Sequence, residues 1–344
     1  MDIGIYLTVS QIGELDEQRQ SFSTSGWFTF QWVDDSLKWN VTDFNGTEQI
    51  YLSSQTIWTP DLVLLNSATG IKLFSHQQVP VSVEHTGLVV WYHGDLFQSQ
   101  CDFDIVHFPF DTQICNFVLS TWVTTSDKVK LTPLPHQLDI YTTGENGLWQ
   151  LRNITTFLKE HQYPRLIVEL TLKRRPSYYV YNLIIPITLL SLLSSLVFAL
   201  PMEYGDKVAL SMTVLLSFGV FLTQMTTNMP KTSRQTSYLT IYLTALLTLS
   251  SLSVAMMILI LRIYKRQGKV PKVLQKWVVL WKCFSSNKKQ TAAVDQDHAD
   301  DVSTEDPSWK DVSATLEAMC LRLFLFMNIS LGIVLFTVLI VLTN

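Results

Sequence analysis

Residues 101–115 read CDFDIVHFPFDTQIC. Cys101 and Cys115 can close this stretch into a loop of 13 residues, and a disulfide there would contribute about 3 kcal/mol through chain entropy. A plain staple accounts for the cysteines. It does not account for Phe108-Pro109-Phe110-Asp111, an apolar, proline-stiffened tip that ends in a charge. Its aromatic-proline bond is a candidate for the cis form, which would fix a hard bulge suited to a membrane surface or to the ends of helices. Disulfides persist in oxidising compartments, so the loop points to an extracellular domain.

Outward from the loop the chain is uneven. It has 344 residues, a formal charge of −4 and 47 % hydrophobic residues. So small a net charge gives no reason to expect a nucleic-acid partner. Up to Arg175 the chain reads as a soluble β-rich protein. Beyond it come four runs free of Asp, Glu, Lys and Arg, at 176–202, 208–230, 235–261 and 323–344. Each is long enough to cross a hydrocarbon core of about 30 Å as a helix.

Three cues set the sidedness. Glycosylation sequons begin at Asn40, Asn45 and Asn153, all before the first apolar run. The cysteine pair needs an oxidising compartment. Arg262, Lys265, Arg266, Lys269, Lys272, Lys276 and Lys282 follow the third run and mark a cytoplasmic segment. The topology that satisfies all three is a multi-pass plasma-membrane protein with both termini outside. Its expected parts are an extracellular sandwich (1–176), three membrane helices (177–262), a cytoplasmic loop (263–316) and a fourth membrane helix (317–344). Lys173-Arg174-Arg175 lies on the outer side against the charge bias, so a local role is expected for these cations. No signal peptide opens the chain, and Met1-Asp2 reads as a processed or re-engineered start.

Short alternating runs at 27–32, 49–52, 79–83, 88–92, 113–119 and 166–172, with turn signals such as Asn45-Gly46 between them, predict an all-β, immunoglobulin-like sandwich. His85, His93, His107, His136 and His161 have no metal-ligand spacing and read as surface residues. Neither a nucleophile elbow nor a phosphate-binding glycine loop is present, so no enzyme, metal or cofactor is expected.

The loop, together with Trp32-Val33-Asp34, Leu37-Lys38-Trp39-Asn40, Trp58-Thr59-Pro60-Asp61-Leu62, NLIIP at 182–186 and Gly205-Asp206-Lys207, resembles the Cys-loop receptors, the pentameric ligand-gated ion channels, and their nicotinic acetylcholine receptor branch in particular. The likeness runs in order from Leu15 to the last helix, sparing the cytoplasmic loop. It implies a homopentamer around a central pore, opened by a small extracellular ligand, with a cationic amine as one candidate.

At 100° per residue, Asp206, Ala209, Thr213, Leu216, Val220, Thr223, Gln224 and Thr227 share about a third of the second helix's circumference. The stripe mixes small polar with medium apolar side chains and opens with a carboxylate; bulky Leu210, Met212, Phe218, Phe221 and Leu222 lie opposite. Packing between helices could use such a stripe. The resemblance implies instead rings of five lining a pore. Leu216 and Val220 would form dewetting gates, Thr213 would offer hydroxyls, and Asp206 would concentrate cations and repel anions at the inner mouth, with monovalent cations permeating. Lys207 falls off the stripe, where it can snorkel to the interface.

The resemblance also implies an aromatic cage between neighbouring chains, worth about 0.5–2 kcal/mol per favourable ring for an ammonium ligand. Trp122 and Tyr163 match one side, Trp27 the other, and Val90 and Tyr92 lie on the complementary strand. Two positions depart from agonist-binding relatives. Leu65 stands for a tyrosine, and Thr156-Phe157-Leu158-Lys159 stands for adjacent cysteines, with Phe157 as a substitute wall. An accessory subunit that acts only in heteropentamers is therefore the alternative. Below the cage, Asp111 and Glu17 are expected to face Arg174, and Phe108-Pro109-Phe110 to press on the linker at Pro230.

On the cytoplasmic side, Val270, Val273, Leu274, Trp277, Val278, Trp281 and Phe284 form one apolar stripe, predicting an interfacial helix on membrane lipid that Pro271 opens. Residues 285–307 read as disordered, and a helix from Trp309 runs into the fourth span. Cys283 and Cys320 are left over.

Overall fold

The computed structural model describes residues 1–76, 79–135, 146–159, 162–201, 206–227, 236–286 and 308–341. The chain divides into two compact units, Met1–Tyr178 with Asn228–Thr236, and Tyr179–Thr227 with Ser237–Asn344.

The first unit holds β1 (Asp2–Asp16), β2 (Ser21–Val33), β3 (Gln49–Ser53), β4 (Leu62–Leu64), β5 (Pro80–Glu84), β6 (Leu88–Gln100), β7 (Thr112–Thr121), β8 (Lys130–Pro133), β9 (Trp149–Lys159) and β10 (Arg165–Arg174). One sheet has the order β3-β5-β6-β2-β1-β8 and the other β4-β7-β10-β9. The alternation that predicts a sandwich is what fills it. Leu166, Val168, Leu170 and Leu172 of β10 are buried, and Ile3, Ile5 and Leu7 of β1 likewise. Phe28 meets Phe97 and Phe117 edge-on at 4.8 and 6.1 Å, so rings from both sheets interlock.

Five of the six expected runs lie within strands, the sixth, 79–83, starts one residue before β5, and four further strands complete the sheets. β1 alternates, but register shifts at Val9/Gln11 and Ile12/Leu15 interrupt it. β9 lies at the edge of its sheet, and its exposed polar residues hide the period. At the first shift β1 comes so close to β2 that a Cβ on Gly26 would sit 2.2 Å from the Thr8 carbonyl oxygen, which only glycine tolerates.

His93 corrects the surface reading. It is 3 % exposed, packed between Trp91 and Phe74, and its Nδ1 has no hydrogen-bond partner among the described residues. It walls a cavity of about 500 Å³ that Lys72 and Asp95 also line. Burial pushes its pKa down to about 4, against the opposing pull of Asp95. The unfolded chain takes up this proton near pH 6.5, whereas the folded chain resists until about pH 4. Stability present above pH 6.5 is thus lost as pH falls through that window, on the order of 3 kcal/mol in all. Thermal melts of His93→Phe at pH 7 and 4.5 should show a shallower acid loss than wild type; parallel losses would dismiss His93 as the cause. His136 and His161 lie outside the described residues.

The second unit holds α1 (Ser177–Ala199), α2 (Lys207–Thr227), α3 (Tyr238–Tyr264), α4 (Lys272–Ser286) and α5 (Trp309–Val341). By length and composition α1, α2, α3 and α5 can each cross a membrane. Within α1 the ladder widens to a π turn over Val180–Ile184, where the Ile185 N–H reaches the Val180 carbonyl. Pro186 follows directly and has no N–H to give Asn182, so the wider turn precedes the proline. Phe198 stacks on Phe324 at 5.2 Å within a cluster that includes Met257, Ile260 and Cys320. Deeper in, Asn328 donates to the Ser195 hydroxyl at 2.8 Å.

Lys207 does not snorkel. It is 1 % exposed and ion-paired with Glu317 of α5, so an ionisable pair is buried among the helices of membrane length. Removing one partner of a buried pair costs about 3–5 kcal/mol, because the other charge stays unpaired. Glu317→Gln should therefore lower the melting temperature of the solubilised chain far more than Glu317→Gln with Lys207→Met. Equal melts for the two would rule the pair out as the reason.

The apolar stripe around α4 is split. Val270 and Val278 are buried with Trp309 and Val312, whereas Val273, Trp277 and Leu280 are exposed. Trp281 lies under the Arg322 guanidinium at 5.1 Å. α4 continues through Ser285 and Ser286, which were expected to be disordered. Residues 287–307 and the side chains of Cys283 and Phe284 lie outside what is described. α5 starts at Trp309, as expected.

Candidate functional site

The loop between Cys101 and Cys115 is closed by a disulfide, and its Phe108–Pro109 bond is cis. The loop is organised around one buried cation. The Arg174 Nε donates to Asp111 Oδ1 at 2.8 Å, and its Nη2 donates to Asp111 Oδ2 at 3.1 Å and to Glu17 Oε1 at 2.7 Å. Arg174 and Asp111 are 2 % and 4 % exposed. The guanidinium also lies 4.9 Å from the Phe108 ring and 4.1 Å from the Trp149 ring. Burial works against the charge on Arg174, but Asp111 and then Glu17 outweigh it and raise its pKa. The local role expected for an outer cation is thus visible in Arg174.

Two members of this cluster escape sequence reading. Gln113 donates through Nε2 to Asp111 and to the Asp104 carbonyl at 2.7 Å, and its Oε1 accepts from the Asp104 N–H at 2.9 Å. Trp149 pairs across the strands with Arg174, a register that no local pattern announces. Phe108 is turned inward onto the guanidinium; Pro109 is buried and Phe110 half-buried. Pro230, the expected counterpart, lies outside the described residues.

The cage candidates fall into two groups. Trp27 and Tyr92 point to the outer face of the six-stranded sheet, where Trp27 pairs with Gly94 and Thr29 with Tyr92; Val90 follows on the same face opposite Gln31. Trp122 follows β7, Phe157 lies on β9 opposite Ile167, and Tyr163 precedes β10, all on the other sheet. Leu65 follows β4, with its N–H on the Val118 carbonyl at 2.8 Å. Trp122 is exposed and its turn is held by Asp61, whose carboxylate accepts from the Val123 and Thr124 N–H groups at 2.6 and 3.0 Å and from the Thr124 hydroxyl at 2.7 Å. Partial burial would raise the Asp61 pKa, but these donors outweigh it and lower it. No single face of the chain carries both groups. Behind the Tyr163 turn, Lys130, Lys159 and Arg165 surround a cavity of about 460 Å³.

On α2 the predicted stripe is the exposed face. Asp206, Ala209, Thr213, Leu216, Val220, Thr223 and Gln224 are exposed, Leu216 to 70 %, while Lys207, Ser211, Val214, Phe218 and Met225 are buried. Met212, expected on the opposite side, is exposed as well. Packing within this chain therefore does not use the stripe. Thr213 and Thr223 donate their hydroxyls to the carbonyls of Leu210 and Gly219, at 2.8 and 2.6 Å. The side chain of Thr227 lies outside what is described. Asn40, Asn45 and Asn153 are all exposed.

These parts define a membrane protein with an outer β-sandwich and four apolar helices, and the family models agree. Residues 1–176 match the neurotransmitter-gated ion-channel ligand binding domain, and residues 183–306 match the neurotransmitter-gated ion-channel transmembrane region. The chain belongs to the neurotransmitter-gated ion-channel family, a family of channels and not of enzymes. It is similar to the human neuronal acetylcholine receptor subunit alpha-2, at 32 % identity over 267 residues, which cover 76 % of this chain and 50 % of that protein. Human subunit alpha-3 is 33 % identical over 267 residues, 76 % of this chain and 53 % of that one. Subunit non-alpha-2 of Carassius auratus is 31 % identical over 277 residues, 79 % and 60 % respectively. The chain thus spans about half the length of these relatives.

Proposed function

We propose that this chain is a subunit of a cation-selective channel opened by a small extracellular ligand, with five copies surrounding a central pore. The observation that carries the reading is the face of α2. A helix that buries Lys207, Val214 and Phe218 against its own unit while exposing Asp206, Thr213, Leu216 and Val220 needs something beyond this chain to face. Water and ions suit it better than lipid, because the row opens with a carboxylate and repeats hydroxyls. The Thr213 hydroxyl spends its proton on the Leu210 carbonyl, so toward an ion it acts as an oxygen acceptor, which favours a cation. Leu216 and Val220 supply the hydrophobic constriction, and Ala209, Thr223 and Thr227 line the remaining turns.

In this reading the ligand lies between neighbours, since Trp122, Phe157, Tyr163 and Leu65 belong to one sheet of the sandwich and Trp27, Val90 and Tyr92 to the other. One chain carries both sides, which supports a homopentamer. On this reading Phe108, Pro109, Phe110, Asp111, Glu17, Arg174 and Pro230 are the residues that couple ligand binding to the pore. The protein crosses the plasma membrane four times with both termini outside, and Asn40, Asn45 and Asn153 carry glycans.

A second reading is an accessory subunit that functions only in heteropentamers. Leu65 removes a phenol from the cage, and the three cations behind the Tyr163 turn repel an amine. Recording from cells that express the chain alone, against amines and acidic ligands, separates the two. Agonist-evoked currents support the homomer. Silence alone with currents on co-expression of a relative supports the accessory role, and silence in both arms despite surface expression would refute the channel.

A further inference from the structure

A cavity of about 650 Å³ lies where α3 ends, α4 begins and α5 starts. Among the described residues its lining includes Lys265, Arg266, Lys269 and Lys310 and no carboxylate. Two of these cations are held by rings. The Arg266 guanidinium lies 4.8 Å from the Trp309 ring, and the Lys310 ammonium lies 5.8 Å from the Tyr264 ring. The lining chain turns sharply at Gly268, where φ is 110°. Trp309 is 7 % exposed, and its indole N–H has no acceptor among the described residues. Asp311, the nearest acid in sequence, accepts from the Ser308 N–H and hydroxyl at 3.0 and 2.8 Å. None of the four cations makes an ion pair among the described residues.

Four like charges around one cavity repel each other, and a multivalent anion is the ligand that relieves this. The location selects its source. Tyr264 is the last residue of a helix of membrane length, Trp309 the first of another, and the exposed row Val273, Trp277 and Leu280 of α4 lies beside them. Apolar surface next to a cationic recess suits a molecule with both acyl chains and a phosphorylated headgroup. We propose that this cavity binds the headgroup of a polyanionic phospholipid, with Arg266 and Lys310 as ring-anchored hydrogen-bond donors to its phosphates and Lys265 and Lys269 as further cations of the lining. The site rests on the reading of α3 and α5 as membrane spans and needs neither ion flux nor a particular sidedness.

The test uses the full chain in phosphatidylcholine nanodiscs, which expose both faces of the bilayer, titrated with dioctanoyl phosphatidylinositol 4,5-bisphosphate. Lys265→Gln with Lys269→Gln touches no ring contact and should weaken binding about tenfold or more; Arg266→Gln with Lys310→Gln should do the same. Inositol trisphosphate and inorganic phosphate should bind at least about a hundredfold more weakly than the lipid, since they lack the acyl chains. Wild-type affinity in the exposed lysine pair would overturn the site. Equal affinity for the soluble phosphates would overturn the lipid. Because binding is read without current, a silent channel that still binds lipid separates this inference from the proposed function.

Discussion

Arg174→Gln is expected to remove the chain from the cell surface and to lower its thermal midpoint by about 10 °C. The substitution leaves the Asp111 carboxylate almost fully buried, with the Gln113 amide as its remaining side-chain donor among the described residues. An uncompensated buried charge costs on the order of 3–5 kcal/mol, and a unit of this size loses about 2–4 °C per kcal/mol. Trp149 and Phe108 lose their cation at the same time. Arg174→Lys keeps the charge without the planar fork and should fall between the two. Arg174→Gln with Asp111→Asn removes both charges and should recover part of the loss. Surface labelling alongside melts of the solubilised chain decides the matter. A single variant that reaches the surface and melts within about 2 °C of wild type would show that the cluster is dispensable.

On the proposed reading of the α2 face as a pore lining, Asp206→Lys should invert the charge preference of that pore. At about 6 Å in water one carboxylate attracts a monovalent cation by about 0.7 kcal/mol. In the proposed assembly five copies would sum to a few kcal/mol before screening, and the lysine would turn that attraction into repulsion. The cation-to-anion permeability ratio, read from reversal potentials in asymmetric salt, should fall at least about tenfold; Asp206→Ala should fall part of the way. An unchanged reversal potential in both would remove Asp206 from the ion path. The carboxylate is exposed, while Lys207 beside it is buried against Glu317, so the two neighbours act on different partners despite adjacent positions.

Much of this molecule was readable from residue order, and the reason is periodicity. Charge-free runs longer than a bilayer announce spans whatever they pack against. Alternation announced six strands, and the 100° stripe on α2 picked out the face that is exposed in the fold. The losses came where a side chain's environment depends on distant sequence. Lys207 was assigned to the interface because α2 alone offered it no partner; Glu317 lies 110 residues further on. His93 looked like surface because neither neighbour in sequence reveals that Trp91, Phe74 and Phe97 close around it. Gln113 and Trp149 have no motif at all, and only strand register sets them against Asp111 and Arg174.

The residues alone thus told that the chain is a β-rich outer part followed by four apolar helices, with one polar-lined helix face and one cysteine-closed loop, because these follow from composition and repeat within a single element. Folding was needed to say which charges are buried and with whom, Arg174 with Asp111 and Glu17 and Lys207 with Glu317, and to gather between α3, α4 and α5 four cations that have no ion pair among the described residues. Coulomb energy and desolvation depend on three-dimensional distance and on what excludes water, and neither is a property of neighbours along the chain.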